Sequence, residues 1–408
     1  MKLKHTTMDQ FPVIQNELQI GGMDLSRLVE RVGQTPFYAY DRQLISQRVN
    51  TLRATLPDQI QLHYAIKANP MPAVVQHLCQ LVDGFDVASK GEMKTALDTP
   101  MPAKHISFAG PGKTDQELRQ ALASGIVINV ESENELKRIV KIGEQSGHTP
   151  TIALRINPNY KVTSSGMKMG SGPQQFGVDE EAAPRILESL DDYAVNFHGL
   201  HIFWGSQNLN EKAIQQAHSK TFQLALKLSE YCRSPLKLLN IGGGLGIPYF
   251  PGEQRLQLQP VADNLAYLLD NFKTKLPDTT VATELGRYLV GEAGIYVCKV
   301  VDRKKSHGQT FLITNGGLHH HLAASGNFGQ VLRKNFPVAI GNKMAHEIKE
   351  SVSVVGPLCT PLDLLADKIE LPEGEVGDLI VIFQSGAYGY SASPRAFLSH
   401  PDCLEVLV

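Results

Sequence analysis

Short runs of apolar and β-branched residues recur between residues 36 and 290, and stretches with helical periodicity separate most of them. Eight runs predict strands, at Leu62–Lys67, Gly84–Ser89, Ile106–Ala109, Ile126–Val130, Ile152–Ile156, Phe197–Phe203, Leu236–Ile241 and Val281–Glu284. The separating stretches predict helices, at Met71–Leu81, Gly91–Leu97, Asp115–Ser124, Asn134–Gln145, His218–Cys232 and Val261–Phe272. Because strands that alternate with helices form parallel sheets, eight repeats favour a closed (β/α)₈ TIM barrel over residues 36–290. An open, doubly wound sheet is the alternative architecture.

The pattern changes after residue 290. Four runs predict strands without long helices between them, at Gly294–Val301, Gln309–Thr314, Glu347–Val355 and Asp378–Gln384. They predict a C-terminal antiparallel β domain over residues 291–408, and we assign residues 1–35 to it because the barrel leaves them no place. Residues 157–177 are rich in Gly, Ser, Lys and Pro and predict a long mobile loop, of the kind that covers active sites.

Composition narrows the class of protein. The 408 residues, 42% hydrophobic and 20% charged, indicate a soluble chain with more than one core. A net charge of −2 argues against nucleic-acid binding, which favours a basic excess. The polar N-terminus and the lack of a long apolar stretch predict no signal peptide, no membrane span and a cytoplasmic protein. The cysteines are scattered, without CxxC spacing, and predict reduced thiols: Cys79, Cys232, Cys298, Cys359 and Cys403.

Polar side chains gather where predicted barrel strands end, which is the rim where TIM barrels carry out chemistry. Lys67 ends the first strand, Asp86 lies in the second, Arg155 in the fifth, and Phe203 ends the sixth. A lysine at the end of an apolar strand is desolvated, so its amine loses a proton more easily and can form an imine with a carbonyl. Taken alone, Lys67 is more typical of a buried ion-pair partner.

The seventh and eighth strands supply groups suited to a phosphate and a ring nitrogen. Residues 242–246 (GGGLG, with Gly243 and Gly244) bring backbone N–H groups close to a ligand, although a tight strand-to-helix turn is an equal alternative. Ser206 and Arg287 can add a hydroxyl and a guanidinium to the same phosphate. Glu284 follows an apolar approach that buries it, so it needs a cationic partner. A protonated pyridine nitrogen would serve, and an ion pair with Arg287 is the alternative.

Two other motifs do not predict sites. Residues 110–114 (GPGKT) resemble a phosphate-binding loop, but Ser107 stands where the motif requires its first glycine. His319, His320 and His321 are consecutive, so their side chains point in different directions and cannot all face one ion. We therefore predict no metal.

The whole set resembles the fold-type III pyridoxal-phosphate decarboxylases, a family that includes diaminopimelate and ornithine decarboxylases and shares its barrel with alanine racemase. The similarity extends from about Pro36 to His400. The matching stretches are His63–Pro70, Phe85–Ser89, Asn240–Gly246, Glu284–Gly291, Gly356–Asp363 and Ser385–Tyr390.

The resemblance implies a role for each matching residue. Lys67 resembles the lysine that binds the cofactor aldehyde, and Glu284 the partner of the pyridine nitrogen. Cys359 resembles the acid that protonates the substrate, reaching in from the second subunit of a homodimer with shared active sites. The remaining residues are similar to those around the cofactor ring and its phosphate: Asp86, Arg155, Ser206, Gly244, Gly286, Arg287 and Tyr388. On its residue type alone, a free cysteine is more often a small core residue.

Three departures from the family pattern bear on the substrate. Phe203 stands where the family usually stacks a histidine on the cofactor, and a phenyl ring offers apolar contact without a hydrogen bond. Thr360 replaces the acid that holds a distal ammonium group in diaminopimelate and ornithine decarboxylases. The arginine that diaminopimelate decarboxylases carry within the stretch matching residues 315–327 is absent. Binding of a substrate weakens by several kcal/mol when a charged group of that substrate has no partner in the site. Free diaminopimelate, ornithine and lysine are therefore disfavoured substrates.

Residues 110–115, 359–361 and 397–401 are similar to the subgroup that acts on conjugated amino acids in siderophore, antibiotic or exopolysaccharide gene clusters. We therefore predict a pyridoxal 5'-phosphate-dependent decarboxylase of an α-amino acid moiety, small or carrier-bound. Three alternatives remain. They are a decarboxylase of free basic amino acids, an amino-acid racemase, which Glu284 disfavours, and a non-catalytic cofactor-binding regulator, which the presence of both Lys67 and Cys359 disfavours.

Overall fold

The computed structural model describes residues 3–160, 167–168 and 172–408. The chain forms two compact units. The barrel unit comprises Arg48–Ile247 and Leu256–Gly286, and the β unit comprises Met1–Gln47, Pro248–Arg255 and Arg287–Val408.

Eight parallel strands close the barrel unit into a ring. In chain order they are β1 (Ile60–Ala65), β2 (Gly84–Val87), β3 (Ile106–Phe108), β4 (Val127–Val130), β5 (Thr151–Asn157), β6 (Asn196–Ile202), β7 (Leu238–Asn240) and β8 (Thr280–Leu285). Each strand pairs with the next, and β8 pairs with β1, so the sheet has no open edge among these strands. The predicted TIM barrel is confirmed, and no predicted strand end differs from the observed one by more than about two residues.

Helices follow the strands, and several begin after a residue whose side chain accepts a backbone N–H of the first turn. They are Arg42–Thr55, which spans the boundary of the units, and Pro72–Leu78, Lys90–Leu97, Asp115–Ser124, Glu133–Ser146, Ala183–Ser189, Glu211–Ser229 and Leu258–Lys275. Asp115–Ser124 shows the rule, because Thr114 and Glu117 form a reciprocal capping box and Gly125 ends the helix at φ 71°. Short 3₁₀ turns are Ile66–Ala68, Ala103–His105 and Leu190–Asp192, and short strands are Met167–Lys168, Val178–Asp179 and Gly205–Ser206.

Strand register places three of the candidate residues on neighbouring strands. β1 lies between β8 and β2, with Glu284 opposite His63 and Asp86 opposite Ala65. Lys67 follows the end of β1 in the Ile66–Ala68 turn. Residues that are about 220 positions apart in the chain therefore meet at the C-terminal end of the barrel.

The β unit contains an eight-stranded sheet and a three-stranded sheet. The larger sheet holds Phe37–Tyr40, Gly294–Ser306, Gln309–Thr314, Val338–Ile340, Glu350–Val355, Leu364–Leu371, Leu379–Ile382 and Leu404–Leu407, and the smaller one Val13–Ile14, Glu17–Ile20 and Met23–Asp24. The helices Leu25–Val32 and Arg287–Val290 and the 3₁₀ turns Gly291–Ala293 and Phe397–Ser399 complete the unit. Its core joins N-terminal and C-terminal residues, for example Leu18, Phe37, Ile295 and Val381.

Residues 36–47 fall in the β unit, although the sequence placed the start of the barrel at residue 36. The reason is that Phe37–Tyr40 pairs with Gly294–Val297 and with Leu404–Leu407. Of the predicted loop 157–177, residues 161–166 and 169–171 lie outside the described residues, and its mobility stays a prediction. Among the described helices, none has both the length and the apolar character needed to cross a membrane.

Candidate active site

Lys67 and Glu284 lie together in the barrel unit. Lys67 Nζ donates to Glu284 Oε1 at 3.3 Å and lies 5.6 Å from the centre of the Phe203 ring. The lysine side chain is 46% exposed, whereas the glutamate side chain is only 4% exposed. The amine can therefore be reached by a ligand, while the carboxylate is held beneath it.

His201 is the second partner of Glu284, and the sequence analysis missed it. His201 Nε2 lies 3.1 Å from Glu284 Oε2, so the two carboxylate oxygens have different partners. Burial alone would raise the pKa of Glu284, but the Lys67 ammonium and the His201 imidazole hold it well below its ordinary value. The alternation of β6, which puts His201 on the same face as Phe203, is the signal that could have found it.

Asp86 lies on the strand next to Lys67 and is buried. Its Oδ1 accepts a hydrogen bond from the Ser107 hydroxyl, and its Oδ2 lies 3.7 Å from His63 Nδ1. Burial and the nearby Glu284 carboxylate raise the pKa of Asp86 well above its ordinary value. Two buried carboxylates with opposite pKa shifts thus share this end of the barrel, an arrangement typical of functional sites.

Arg155 has a buried partner that the sequence analysis did not identify. Its Nη1 donates to Glu131 Oε1 at 2.8 Å, and its guanidinium lies 5.0 Å from the centre of the Phe176 ring. Burial opposes ionisation of Glu131, but Arg155 and Lys113 hold its pKa below the ordinary value. Glu131 follows β4 directly, so its position at a strand end was the available signal.

The loop of residues 110–114 has a structural role. Lys113 is buried, and its Nζ donates to the backbone oxygens of Gly110 and Asn129 and to Glu135 Oε1 at 3.1 Å. The Gly110 N–H donates to Glu131. The Lys113 ammonium group is therefore bonded within the fold, and this agrees with the interpretation that the loop is not a phosphate-binding motif.

The glycine cluster that follows β7 forms a cradle that side chains would fill. A Cβ on Gly243 would lie 1.8 Å from the backbone oxygen of Glu284. Gly244 has φ +86°, and a Cβ there would lie 2.7 Å from the Gly205 oxygen. Only glycine allows this close approach and this backbone conformation, which leave N–H groups accessible to a phosphate.

Two further predicted phosphate residues also belong to the barrel unit. Ser206 lies in the short strand Gly205–Ser206, which pairs with Met167–Lys168. Gly286 lies beside the turn that carries Lys67, since a Cβ at this position would meet Ala68 Cβ at 2.9 Å. Both lie on segments adjacent to the groups described above.

Arg287 and Tyr388 contact each other in the β unit. The Arg287 guanidinium lies 4.6 Å from the centre of the Tyr388 ring, and its Nη1 donates to the Tyr249 hydroxyl at 2.7 Å. Tyr388 adopts φ +54°, a strained backbone conformation that is common at functional sites. Arg287 thus has aromatic partners, while Glu284 is paired with Lys67 and His201.

Cys359 is exposed, whereas Cys298 and Cys403 are buried. It lies in a loop that Asp363 anchors, because Asp363 accepts the N–H groups of Leu318 at 2.6 Å and Leu358 at 2.7 Å. An exposed thiol on an anchored loop differs from the small core residue that a free cysteine usually is. The position suits a group that acts on a ligand.

The three consecutive histidines point to different partners. His320 Nε2 contacts the Pro401 oxygen at 2.9 Å, His321 Nε2 contacts Ser385 Oγ at 2.9 Å, and His319 stacks on His320 at 3.7 Å between ring centres. His320 also comes within ligand distance of Asp402 and Cys403. Asp402, however, already pairs with Arg395. The absence of a metal stays a prediction.

The barrel residues fit pyridoxal phosphate. Lys67 offers a reachable amine for the aldehyde, Glu284 a buried and ionised carboxylate for a protonated ring nitrogen, and Gly243–Gly244 a backbone cradle for the phosphate. Phe203, 5.6 Å from the amine, offers an apolar face to the ring.

Comparison with known proteins agrees with this geometry. Residues 42–291 match the pyridoxal-dependent decarboxylase, pyridoxal binding domain. The chain is 36% identical to the L-glutamyl-[BtrI acyl-carrier protein] decarboxylase of Niallia circulans, over 94% of this chain and 91% of that protein. It is 34% identical to the 2-[(L-alanin-3-ylcarbamoyl)methyl]-2-hydroxybutanedioate decarboxylase of Staphylococcus aureus, over 89% and 92% of the two chains.

Diaminopimelate decarboxylases are also similar. The protein from Aquifex aeolicus is 33% identical, over 96% of this chain and 90% of its own length. The crystal structure of diaminopimelate decarboxylase from M. jannaschii superposes with a TM-score of 0.89 at 28% identity, covering 98% of this chain and 92% of that one. The chain therefore belongs to the pyridoxal-dependent decarboxylases and is an amino acid decarboxylase that uses pyridoxal phosphate.

Proposed function

We propose that this decarboxylase acts on an α-amino acid moiety that is part of a larger conjugate, and that it does so as a homodimer. The observation that carries the proposal is Thr360, a half-buried residue directly after Cys359. Thr360 Oγ1 accepts from the Leu362 N–H at 3.3 Å and has no charge to pair with a distal ammonium group. The two relatives with conjugated substrates, at 36% and 34% identity, support the same conclusion.

Each residue has a task that its surroundings permit. Pyridoxal phosphate, when bound, supplies the electron sink for the loss of carbon dioxide. Lys67, with its exposed amine, would hold the cofactor at its aldehyde. Glu284, paired with His201 and kept ionised, holds a proton at the pyridine nitrogen. Cys359 delivers a proton to the substrate Cα.

A direct test offers the purified enzyme three types of substrate and measures carbon dioxide release and the mass loss of the substrate. The substrates are an acyl-carrier-bound L-glutamyl group, a citryl conjugate of diaminopropionate, and free diaminopimelate, lysine and ornithine. We expect turnover of a conjugate and little turnover of the free diamino acids. Preference for a free diamino acid would refute the proposed substrate class, and racemisation without carbon dioxide release would refute decarboxylation.

Replacement of Thr360 by glutamate is expected to shift the enzyme towards free diamino acids. A carboxylate at this position gives the distal ammonium group a partner, so kcat/KM for diaminopimelate or ornithine should rise about tenfold while that for the conjugate falls. Thr360→Val is the matched control, because valine keeps the shape of threonine and adds no charge. An unchanged ratio of the two kcat/KM values in Thr360→Glu would show that another residue determines selectivity.

Mixing two inactive variants tests whether Cys359 acts across a homodimer. Lys67→Ala and Cys359→Ala homodimers should each be nearly inactive. If each site takes Lys67 from one subunit and Cys359 from the other, re-equilibrated mixtures regain about a quarter of wild-type activity, because half of the dimers contain one intact site. Light scattering should give the mass of a dimer. Absence of recovery in a mixture that has exchanged subunits would place both residues in one subunit, and activity in the Cys359→Ala homodimer would remove Cys359 from catalysis.

A further inference from the structure

A cavity of about 310 Å³ lies at the N-terminal end of the barrel, on the side opposite Lys67. The first or second residues of five strands line it, which fixes its position: Gln61, Ile106, Val127, Leu238 and Thr280. Chemistry in TIM barrels gathers at the C-terminal end. This cavity therefore lies at the other end of the barrel from Lys67, although two of its lining residues, His63 and Ser107, also contact Asp86.

Two exposed cationic side chains lie at the cavity. Lys104 and Lys237 line it, and neither ammonium group has an ion-pair partner among the residues that the structure describes. Asp278 is the one carboxylate in the lining, and within the same part of the chain it pairs with neither lysine. Two ammonium groups without partners at one cavity attract a negatively charged ligand.

Three imidazoles share the cavity with the two lysines. His105 Nδ1 contacts the Asp83 backbone oxygen at 3.1 Å. Burial lowers the pKa of His63 to about 4, an effect that the Asp83 and Glu284 carboxylates oppose and that His105 and His198 increase. The neighbouring imidazoles thus disfavour protonation of His63.

His198 is subject to the same crowding. Burial lowers its pKa, and the neighbouring Lys237 ammonium and His105 imidazole lower it further. Protonated imidazoles that lie close together repel one another. An anion bound among them stabilises their protonated form by attraction between opposite charges. The ring N–H groups and the ammonium groups are also the hydrogen-bond donors that an oxyanion requires.

We propose that this cavity binds a small oxyanion of the phosphate or carboxylate class. Its recognition groups are the Lys104 and Lys237 ammonium groups and the imidazoles of His63, His105 and His198. Binding draws protons onto His63 and His198, so it is tighter at about pH 6 than at about pH 8. His63 also lies 3.7 Å from Asp86 and thus connects the bound anion to a residue of the catalytic end.

Calorimetric titration of the holoenzyme tests the proposal, because the bound cofactor fills the phosphate cradle at the catalytic end. Inorganic phosphate is one ligand and citrate the other, and sodium chloride of equal ionic strength is the reference. We expect saturable binding of at least one oxyanion at about pH 6 and at least about tenfold weaker binding in the double variant Lys104→Gln/Lys237→Gln. Lys141→Gln, a change at an exposed lysine of another helix, is the matched control and should bind like the wild type.

The outcomes separate the possibilities. Saturation by only one of the two anions supports the site and identifies the class of ligand. Equal affinity of the double variant and the wild type, or no saturable heat with either anion, overturns the proposal and leaves a cavity that holds solvent only. Equal melting temperatures of the double variant and the wild type in sodium chloride would show that weaker binding does not result from unfolding.

Discussion

Replacement of Lys67 by alanine should abolish the visible absorption band that a covalently attached pyridoxal cofactor gives, and turnover should fall by about 10³-fold or more. The amine is the one group in the described barrel site that is both nucleophilic and accessible, with 46% of its side chain exposed. Without it the cofactor aldehyde has no attachment point, and the product amine has no group to displace it. Absorption spectra and single-turnover kinetics measure the two effects separately.

Lys67→Arg is the matched variant, because it keeps a cation beside Glu284 but cannot form an imine. Both variants should lose the band, and Lys67→Arg should keep more of the thermal stability that the 3.3 Å contact with Glu284 provides. Lys94→Ala, a change at an exposed helical lysine, should leave the spectrum unchanged. A normal band in Lys67→Ala would assign cofactor attachment to another residue and end the proposed mechanism.

Much of the barrel follows from local sequence because each strand is a short buried run and several helices carry their own side-chain cap. Asp115–Ser124 shows this, since its predicted and observed ends coincide between Thr114 and Gly125. The helix Glu211–Ser229 begins seven residues before its predicted start at His218, because the Asn210 side chain caps it by accepting the Ala213 N–H. Such caps extend a helix beyond its clearest apolar pattern.

The β unit was harder to predict because its pairings join distant segments. Phe37–Tyr40 reads as the start of a barrel, yet its partners are at 294–297 and 404–407. The strand Leu364–Leu371 was not predicted, because its alternation of apolar and polar residues is broken. Its register with Glu350–Val355 shifts twice, and Lys368 adopts φ +47°. No local pattern contains this information.

Positions of site residues could be predicted, but their partners could not. The rule that chemistry lies at strand ends identified Lys67, Asp86 and Glu284, and the structure brings them together. The contacts of His201 with Glu284 and of Glu131 with Arg155 depend on which strands become neighbours and in which register. The sequence shows that a buried carboxylate requires a partner, but only the fold shows which residue is that partner.

Glu284→Gln is the second change with a large expected effect, because the two oxygens of Glu284 have separate tasks. Oε1 faces Lys67, and Oε2 faces His201. With pyridoxal phosphate bound, Glu284 would hold the ring nitrogen, and His201 would orient the carboxylate. A neutral amide in the same place cannot keep the pyridine nitrogen protonated, so kcat should fall about 10²- to 10³-fold while the cofactor remains bound.

The pH dependence of this effect separates electrostatics from packing. The pKa of Glu284 lies well below its ordinary value, so the carboxylate stays ionised throughout the neutral range and the loss in Glu284→Gln should be the same from about pH 6 to about pH 8. Glu284→Asp retains the charge at a greater distance and should recover part of kcat. His201→Gln retains the charge but weakens its orientation, and should cost about tenfold. Full kcat in Glu284→Gln with the cofactor bound would show that the ring nitrogen needs no anionic partner at this position.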